Sequence, residues 1–597
     1  MISLLTAAAP GRTARRWPWV IGILVATVLA IAFGFRQFNT PTEDGHGDLP
    51  RLAVLPFENL GEPDDEYFSD GISDEINVRL MGVEGLQVLA STSSRRYKNS
   101  EKSVAEIGEE LGADYLLEGT IRWQKNPDGT STVSIAPKLV STEDGIQIWA
   151  ESYREDYADI FSLQLDIATM VVGAMGIELL PESRTIINNI STRSTEAYDL
   201  YLRGLEYDAA WTNTPMAERA VRLYEAAVAV DPDFTEAWAR ICRLHAWLFN
   251  LGRPVGDSLR KARDSGDMAL ALDPDNVETH IGLGYYFYYG HRDYDTALKH
   301  LDRASDIAPG RPEPYNGRGS ILRRRGEYDL ALAQYERSLD IDPRNPSTII
   351  QFGYTGFYLR DFKLEVQAGE RLVAMAPESS ESYWVLIDGL VNSGADPARI
   401  TRVLDMALAH GAFWELISIS DDIGLARSLV AKVEAFRTQV MQQELSRERP
   451  PLERAETEYM KGLVSRLGES GGNFVHRFER AVVLVEPLVR TNPEIYHYYP
   501  ILSCSYSELG QHEMAVDLCR QGLAVDRLAR DDIETNNLLC DLAAALAAAG
   551  RSDEAVDVIE DLMARPSNLN LGRLRADPAW DPLRGTPRFQ EIVARRE

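Results

Sequence analysis

Four prolines frame the middle of this chain: Pro274, Pro309, Pro343 and Pro377 stand 35, 34 and 34 residues apart. Each sits in an Asp-Pro or Ala-Pro pair at the end of a helical apolar pattern. Proline has no amide hydrogen to donate and its ring clashes with the turn before it, so it marks where a helix stops. A fixed period of about 34 residues is the signature of a helix-turn-helix solenoid, in which each unit buries its apolar face against its neighbours. The pattern points towards partner binding before any catalytic residue is sought.

At 597 residues the chain is too long for one core and implies several domains. Its formal net charge of −29 argues against a nucleic-acid surface, which needs clustered Lys and Arg. The four cysteines, Cys242, Cys504, Cys519 and Cys540, show no CxxC or zinc-type spacing. Buried thiols are expected, although Cys504 and Cys519 could meet across one helical hairpin.

Near the N-terminus, Trp17 to Phe35 carries no charge over 19 residues. At about 1.5 Å per residue this nearly spans a bilayer core. Arg12, Arg15 and Arg16 precede it, while Glu43, Asp44 and Asp48 dilute Arg36 beyond it. The positive-inside rule predicts a cytoplasmic stub over residues 1–16, a signal-anchor helix over 17–35 in the inner membrane, and a periplasmic remainder. The rival reading is a cleaved signal peptide ending near Ala30-Ile31-Ala32. Residues 36–50 read as a polar linker.

Residues 51–180 mix strand and helix signals and predict an α/β or α+β domain. Strands are expected at Leu52–Phe57, Leu86–Ala90, Tyr115–Trp123, Thr132–Leu139 and Gln147–Tyr153. Helices are expected at Glu66–Met81, Val104–Leu111 and about Tyr157–Leu179. The motifs Ala53-Val54-Leu55-Pro56-Phe57-Glu58-Asn59-Leu60 and Tyr67-Phe68-Ser69-Asp70-Gly71-Ile72-Ser73-Asp74-Glu75 stand in this domain. So do Glu106-Ile107-Gly108-Glu109-Glu110-Leu111-Gly112-Ala113-Asp114-Tyr115, Leu117-Glu118-Gly119-Thr120 and Ile148-Trp149-Ala150-Glu151-Ser152-Tyr153. In these the domain resembles the TolB-like amino-terminal domain of bacterial membrane and signalling proteins. The resemblance implies that helical repeats follow. Relatives that carry a nucleotide-cyclase or winged-helix domain carry it ahead of this point, where this sequence has only its short stub.

The repeats resemble tetratricopeptide (TPR) units and are expected over 196–410, an all-α solenoid. The cleanest runs from Pro312 to Asn345, with Gly319, Gly326, Tyr328, Ala331, Tyr335 and Pro343 in the expected places. The unit before it has Gly284, Tyr294, Ala297 and Pro309, with one extra residue in its turn. The unit after it carries Glu365 and Gly369 where a small residue and an aromatic are usual, which leaves its packing open. Residues 411–453 read as an irregular helical segment. Residues 454–597 read as further TPR-like helices closed by a cap around Asp577 to Gly585.

No GxxxxGK[ST], HExxH or EF-hand motif is present, and no cofactor or metal is expected. Gly468-Glu469-Ser470-Gly471-Gly472 fits G-x-S-x-G, but a nucleophile elbow needs a strand before it, and a helix is expected there. The acids from Glu62 to Glu75 read as a helix start, where the macrodipole favours negative charge. The resemblance to TPR arrays places Tyr285, Tyr288, Arg323, Tyr354, Phe357 and Trp384 on the inner surface. Rigid rings there give large contact area at small entropic cost and make these residues the candidate partner site.

The expected protein is not an enzyme. It is a membrane-anchored periplasmic scaffold for protein or peptide partners, using a TPR array and a TolB-like domain, with its oligomeric state open. A second reading is a sensory or regulatory subunit whose effector is a separate polypeptide. A third, a hydrolase acting through Ser470, lacks the required strand context.

Overall fold

The computed structural model describes residues 49–125, 131–180, 192–208, 214–250, 257–410, 451–467, 474–525 and 531–595. The stub, the apolar stretch 17–35, most of the linker and Ser470 lie outside the described residues, as does nearly all of the expected irregular segment 411–453. The fold set out below is that of the unit Pro50–Glu597.

Its first part is a seven-stranded mixed sheet with the order β3-β1-β4-β5-β6. The strands are β1 (Arg51–Val54), β2 (Glu58–Asn59), β3 (Gln87–Leu89), β4 (Tyr115–Lys125), β5 (Ser131–Ser141), β6 (Gln147–Ala150) and β7 (Tyr153–Asp156). β1 lies parallel to both β3 and β4, with Leu52 opposite Tyr115. A parallel interior strand is covered on both faces and is therefore apolar throughout. Leu52 and Val54 enter one core cluster with Phe68, Ile72 and Ile76, while Ala53 and Leu55 enter another with Ile107 and Leu111. The expected stripe Phe68, Ile72, Ile76 and Leu80 of the helix Glu66–Met81 is fully buried. Pro56 ends β1 early, and pairing resumes two residues later when β2 joins β4. The strand expected over Gln147–Tyr153 is two strands. β6 pairs with Lys138 to Val140 and β7 with Thr132 to Ile135, and between them the Glu151 N–H keeps a bond to the Pro137 carbonyl at 3.3 Å.

The second part is a stack of paired antiparallel helices. Among the described residues six pairs run from Thr195–Asp208 to Pro397–Ala409, and three more from Pro451–Leu467 to Ser552–Ala564. Short caps fix where the helices begin. Asn276, Asp293, Asn345 and Asp361 each accept a bond from the backbone N–H three residues on, satisfying a donor the helix leaves unpaired. The extra residue of the unit ending at Pro309 is taken up by a π-helical turn at Tyr286–His291. Glycines set the seams. A methyl group on Gly319 would stand 2.6 Å from the Tyr335 ring, and one on Gly462 would stand 2.6 Å from Phe478. At Gly369 the neighbour is backbone, because its added methyl would stand 2.5 Å from Leu386 Cα. The rung whose packing was open is therefore closed by direct helix approach in place of an aromatic.

One apolar cluster runs without a break from the sheet (Leu117, Ile135) through Ile167 and Val171 into Tyr198, Tyr224 and Leu244 of the first repeats. The expected inner-membrane placement is corrected here. Among the described residues no helix is long and apolar enough to cross a membrane. The second helices of the pairs are amphipathic: Tyr294–Ile307 buries Tyr294, Ala297, Leu301 and Ala304 and turns Lys299, Asp302 and Arg303 outward. The stretch 17–35 on which the placement rested is not among the described residues.

Candidate functional site

The inner face of the first repeats carries a ladder of buried charge. Asp208 accepts from Arg243 at 2.8 Å and from Arg240 at 3.1 Å. Arg240 also meets Glu278 at 3.1 Å, and Arg311 joins Glu278 at 2.6 Å and Glu313 at 2.8 Å. Burial alone would raise the Glu278 carboxyl, but Arg240, Arg311 and Arg243 outweigh it and hold the group at about 2. Asp208, Arg240, Arg243, Glu278 and Glu313 lie in the first helices of four successive units and Arg311 just ahead of the fourth, so the ladder ties these repeats together. Only Glu278 and Glu313, 35 residues apart, stand at the same position of their helices, so the sequence pattern does not mark the ladder as a whole.

Both ends of the described chain close on this array. From the α/β domain, Tyr67 donates its hydroxyl to Asp199 at 2.5 Å and receives a bond from Arg203 at 3.1 Å. Gly71 packs on Leu202. Further along, Thr92 and Ser93 donate their hydroxyls to Asp342 in the turn before Pro343, and Arg344 lies 5.8 Å from the Tyr97 ring centroid. Burial pushes the Asp342 carboxyl up to about 6 against the pull of Ser93, Thr92 and Asn345.

The turns on the other edge meet the C-terminal helices. A left-handed residue recurs there every 34 positions, at Arg292, Gly326, Arg360 and Gly394. Arg292 reaches Glu534 at 2.6 Å, Arg324 reaches Asp531 at 2.6 Å, and Tyr294 donates to Asp531 at 3.0 Å. Arg360 donates to the carbonyls of Leu562 and Arg565, each at 2.9 Å, and of Leu569 at 3.1 Å. Arg573 pairs with Asp388 at 3.0 Å and covers the Phe357 ring at 4.8 Å.

This closure bears on the six candidate residues. Tyr288 is buried and its hydroxyl accepts from Arg324 Nε at 2.8 Å. Arg323 is buried and donates to Gln351, and Phe357 is buried beneath Arg573. These three are internal contacts, a correction to their expected place on an open surface. The physical reasons differ: Arg323 is taken up by Gln351 of the next repeat, Tyr288 lies under Arg292 and Arg324, which pair with Asp531 and Glu534, and Phe357 is covered by Ile533 and Arg573 of the C-terminal helices. Tyr285, Tyr354 and Trp384 remain half-buried: Tyr285 stacks on Tyr289 at 5.4 Å, and Trp384 packs against the C-terminal core. The structure does not gather the six into one patch.

A cleft of about 130 Å³ with a mixed polar and apolar lining lies among the C-terminal helices. Tyr459, Arg466, Ser503, Glu508, His512 and Asp541 line it, facing Pro578 and Pro582 of the cap. Arg466 and Glu508 pair across it at 3.0 Å. All four cysteines are free thiols, and Cys504 lies 3.7 Å from Asp541. Among the described residues no group of His, Cys, Asp and Glu is placed to hold a metal ion.

Comparison with known proteins adds the following. Residues 283–346 match the family model "Tetratricopeptide repeat". Putative adenylate cyclase 3 of Rhizobium meliloti (strain 1021) is 29% identical over 237 residues, 39% of this chain and 39% of that protein. The chain thus spans about two fifths of the length of that curated relative. Among solved structures, PilW, a widely conserved type IV pilus biogenesis factor, is similar at 17% identity over 37% of this chain and 92% of that one, with a TM-score of 0.28. A tetratricopeptide repeat protein from Parabacteroides merdae is similar at 12% identity over 55% of this chain and 100% of that one, with a TM-score of 0.27. On the family match and the stacked helical pairs, residues 283–346 are tetratricopeptide repeats.

Proposed function

We propose that this protein is a non-catalytic scaffold that binds protein or peptide partners through its helical array. The observation that carries the reading is the tetratricopeptide match at residues 283–346 within a continuous run of helical pairs. Repeat stacks of this kind offer extended surfaces and need no reactive group to act. Partner contact is assigned to Tyr285, Tyr354 and Trp384, the three candidate residues that keep partial exposure. The TolB-like resemblance of the α/β domain fits a role in positioning the array. Crosslinking in intact cells followed by mass spectrometry tests this. Tyr285→Ala with Tyr354→Ala is expected to weaken capture of the crosslinked partner while leaving the array folded, and unchanged capture would overturn the site.

One observation favours a second reading, a regulatory subunit of a cyclic-nucleotide system: the similarity to a protein named a putative adenylate cyclase. Deleting the gene separates the two. Scaffolding leaves cellular cyclic AMP unchanged, whereas the regulatory reading requires it to shift.

A further inference from the structure

The sheet ends on an uncovered strand. β4 occupies one edge of β5 along its whole length, so β6 and β7 share the other edge and form the sheet's outer margin. Among the described residues no strand lies beyond β6. An open edge presents unpaired N–H and C=O groups, and native proteins usually blunt it with charge, proline or a bulge. β6 itself has neither charge nor proline. A bulge opposite Leu139 and Val140 and the Asp144 carboxylate on the Ile146 N–H at 3.1 Å protect it in part, and they leave Ile146 59% and Ile148 40% exposed.

Charge gathers at both ends of this apolar strand. Glu143 and Asp144 precede it, and Glu151, Glu155 and Asp156 follow, all exposed, with Arg154 the single base between residues 141 and 156. On the adjoining strand Lys138 is already paired with Glu118 at 2.7 Å. The margin is therefore apolar at its centre and acidic at its ends.

We propose that β6 is a docking edge for an extended segment of another protein, apolar at alternate positions and flanked by lysine or arginine. Main-chain hydrogen bonds to the open edge supply affinity, and alternate side chains lie on Ile146 and Ile148. The flanking bases meet the acids, which gives specificity and speeds association. A second copy of this chain is disfavoured as the occupant. Antiparallel pairing of two β6 strands sets Glu143 and Asp144 towards the partner's acidic end, and like charges placed opposite each other destabilise a sheet. The inference is independent of the repeat array's inner face.

Fluorescence anisotropy with the full chain tests it, using a labelled short peptide of alternating valine and threonine capped by lysines. Saturable binding is expected, weakened at least about tenfold by Ile148→Lys or Ile146→Lys and by replacing the lysine caps with glutamates. Both substitutions lie at exposed positions, and circular dichroism checks that each variant stays folded. Equal binding of the glutamate-capped peptide overturns the proposal, as does undiminished binding by the folded variants. A concentration-dependent dimer that Ile148→Lys dissolves also overturns it and assigns the edge to a second copy.

Discussion

Arg292 donates to Glu534 at 2.6 Å, joining a turn of the first array to a helix 242 positions later through a buried ion pair. Arg292 does so from a left-handed backbone with φ 51, a conformation that disfavours any side chain. Two repeats on, Arg360 repeats the device at φ 61. Glycine fills the same place at Gly326 and Gly394, where it carries no such strain. Arginine thus stands where its guanidinium has a carboxylate or several carbonyls to reach.

Removing one partner of a buried pair leaves the other charge uncompensated, at a cost of about 3–5 kcal/mol. Arg292→Ala is therefore expected to lower the urea midpoint of unfolding and to speed amide exchange in the helix Asp532–Ala548. A loss below about 1 kcal/mol, the scale of an exposed pair, would show that Arg324 is counter-charge enough for Asp531 and Glu534.

The strain itself is measurable. Gly394 has φ 69 and open space around it, so Gly394→Ala should cost about 1–2 kcal/mol from backbone conformation alone. Arg360→Gly relieves a similar strain but removes bonds to three carbonyls, and charge-assisted bonds contribute about 1.5–3 kcal/mol each. The Arg360 variant is expected to melt at a lower temperature than the parent. A higher melting temperature would mean that strain outweighs the bonds.

Gly369 and Gly319 separate two kinds of close packing. At Gly319 an added methyl group meets the Tyr335 side chain, whereas at Gly369 it meets the Leu386 backbone, which yields less than a side chain does. Overpacking costs about 1–3 kcal/mol, and Gly369→Ala is expected to exceed Gly319→Ala within that range. Equal losses in parallel urea titrations would refute the backbone argument.

Local chemistry made much of this fold legible. The 34-residue prolines, the Gly319–Tyr335 seam and the apolar stripe of Glu66–Met81 all follow from short-range pattern, and each stands where the pattern puts it. The closure of the array by its own C-terminal helices was not legible, because Arg292 and Glu534 look like ordinary charges in sequence. Their pairing depends on the superhelical path of the repeats between them. For the same reason Tyr288 and Phe357 read as an open face and are buried. Inner position in a repeat is set locally, but what fills the space beside it is set at long range.

Docking of the α/β domain on the array should depend on pH through Asp342. This carboxyl is fully buried, and burial raises it to about 6 from an ordinary 3.8, with Ser93, Thr92 and Asn345 opposing the rise and Glu313 adding to it. Arg371 also faces the group. A folded-state pKa raised above the unfolded value favours the protonated form. Its stabilising contribution is fully present below about pH 4 and is lost as pH rises through about 6. The loss amounts to at most about 3 kcal/mol. Asp342→Asn keeps a neutral acceptor for Thr92 and Ser93 and removes the titration. Glu75 shifts in the same sense, to about 7, so comparison with the variant isolates Asp342 from the background. Urea midpoints across this range are expected to fall for the parent relative to Asp342→Asn as pH rises. Parallel curves would show that Asp342 stays ionised in the folded chain, held by its three hydrogen-bond partners.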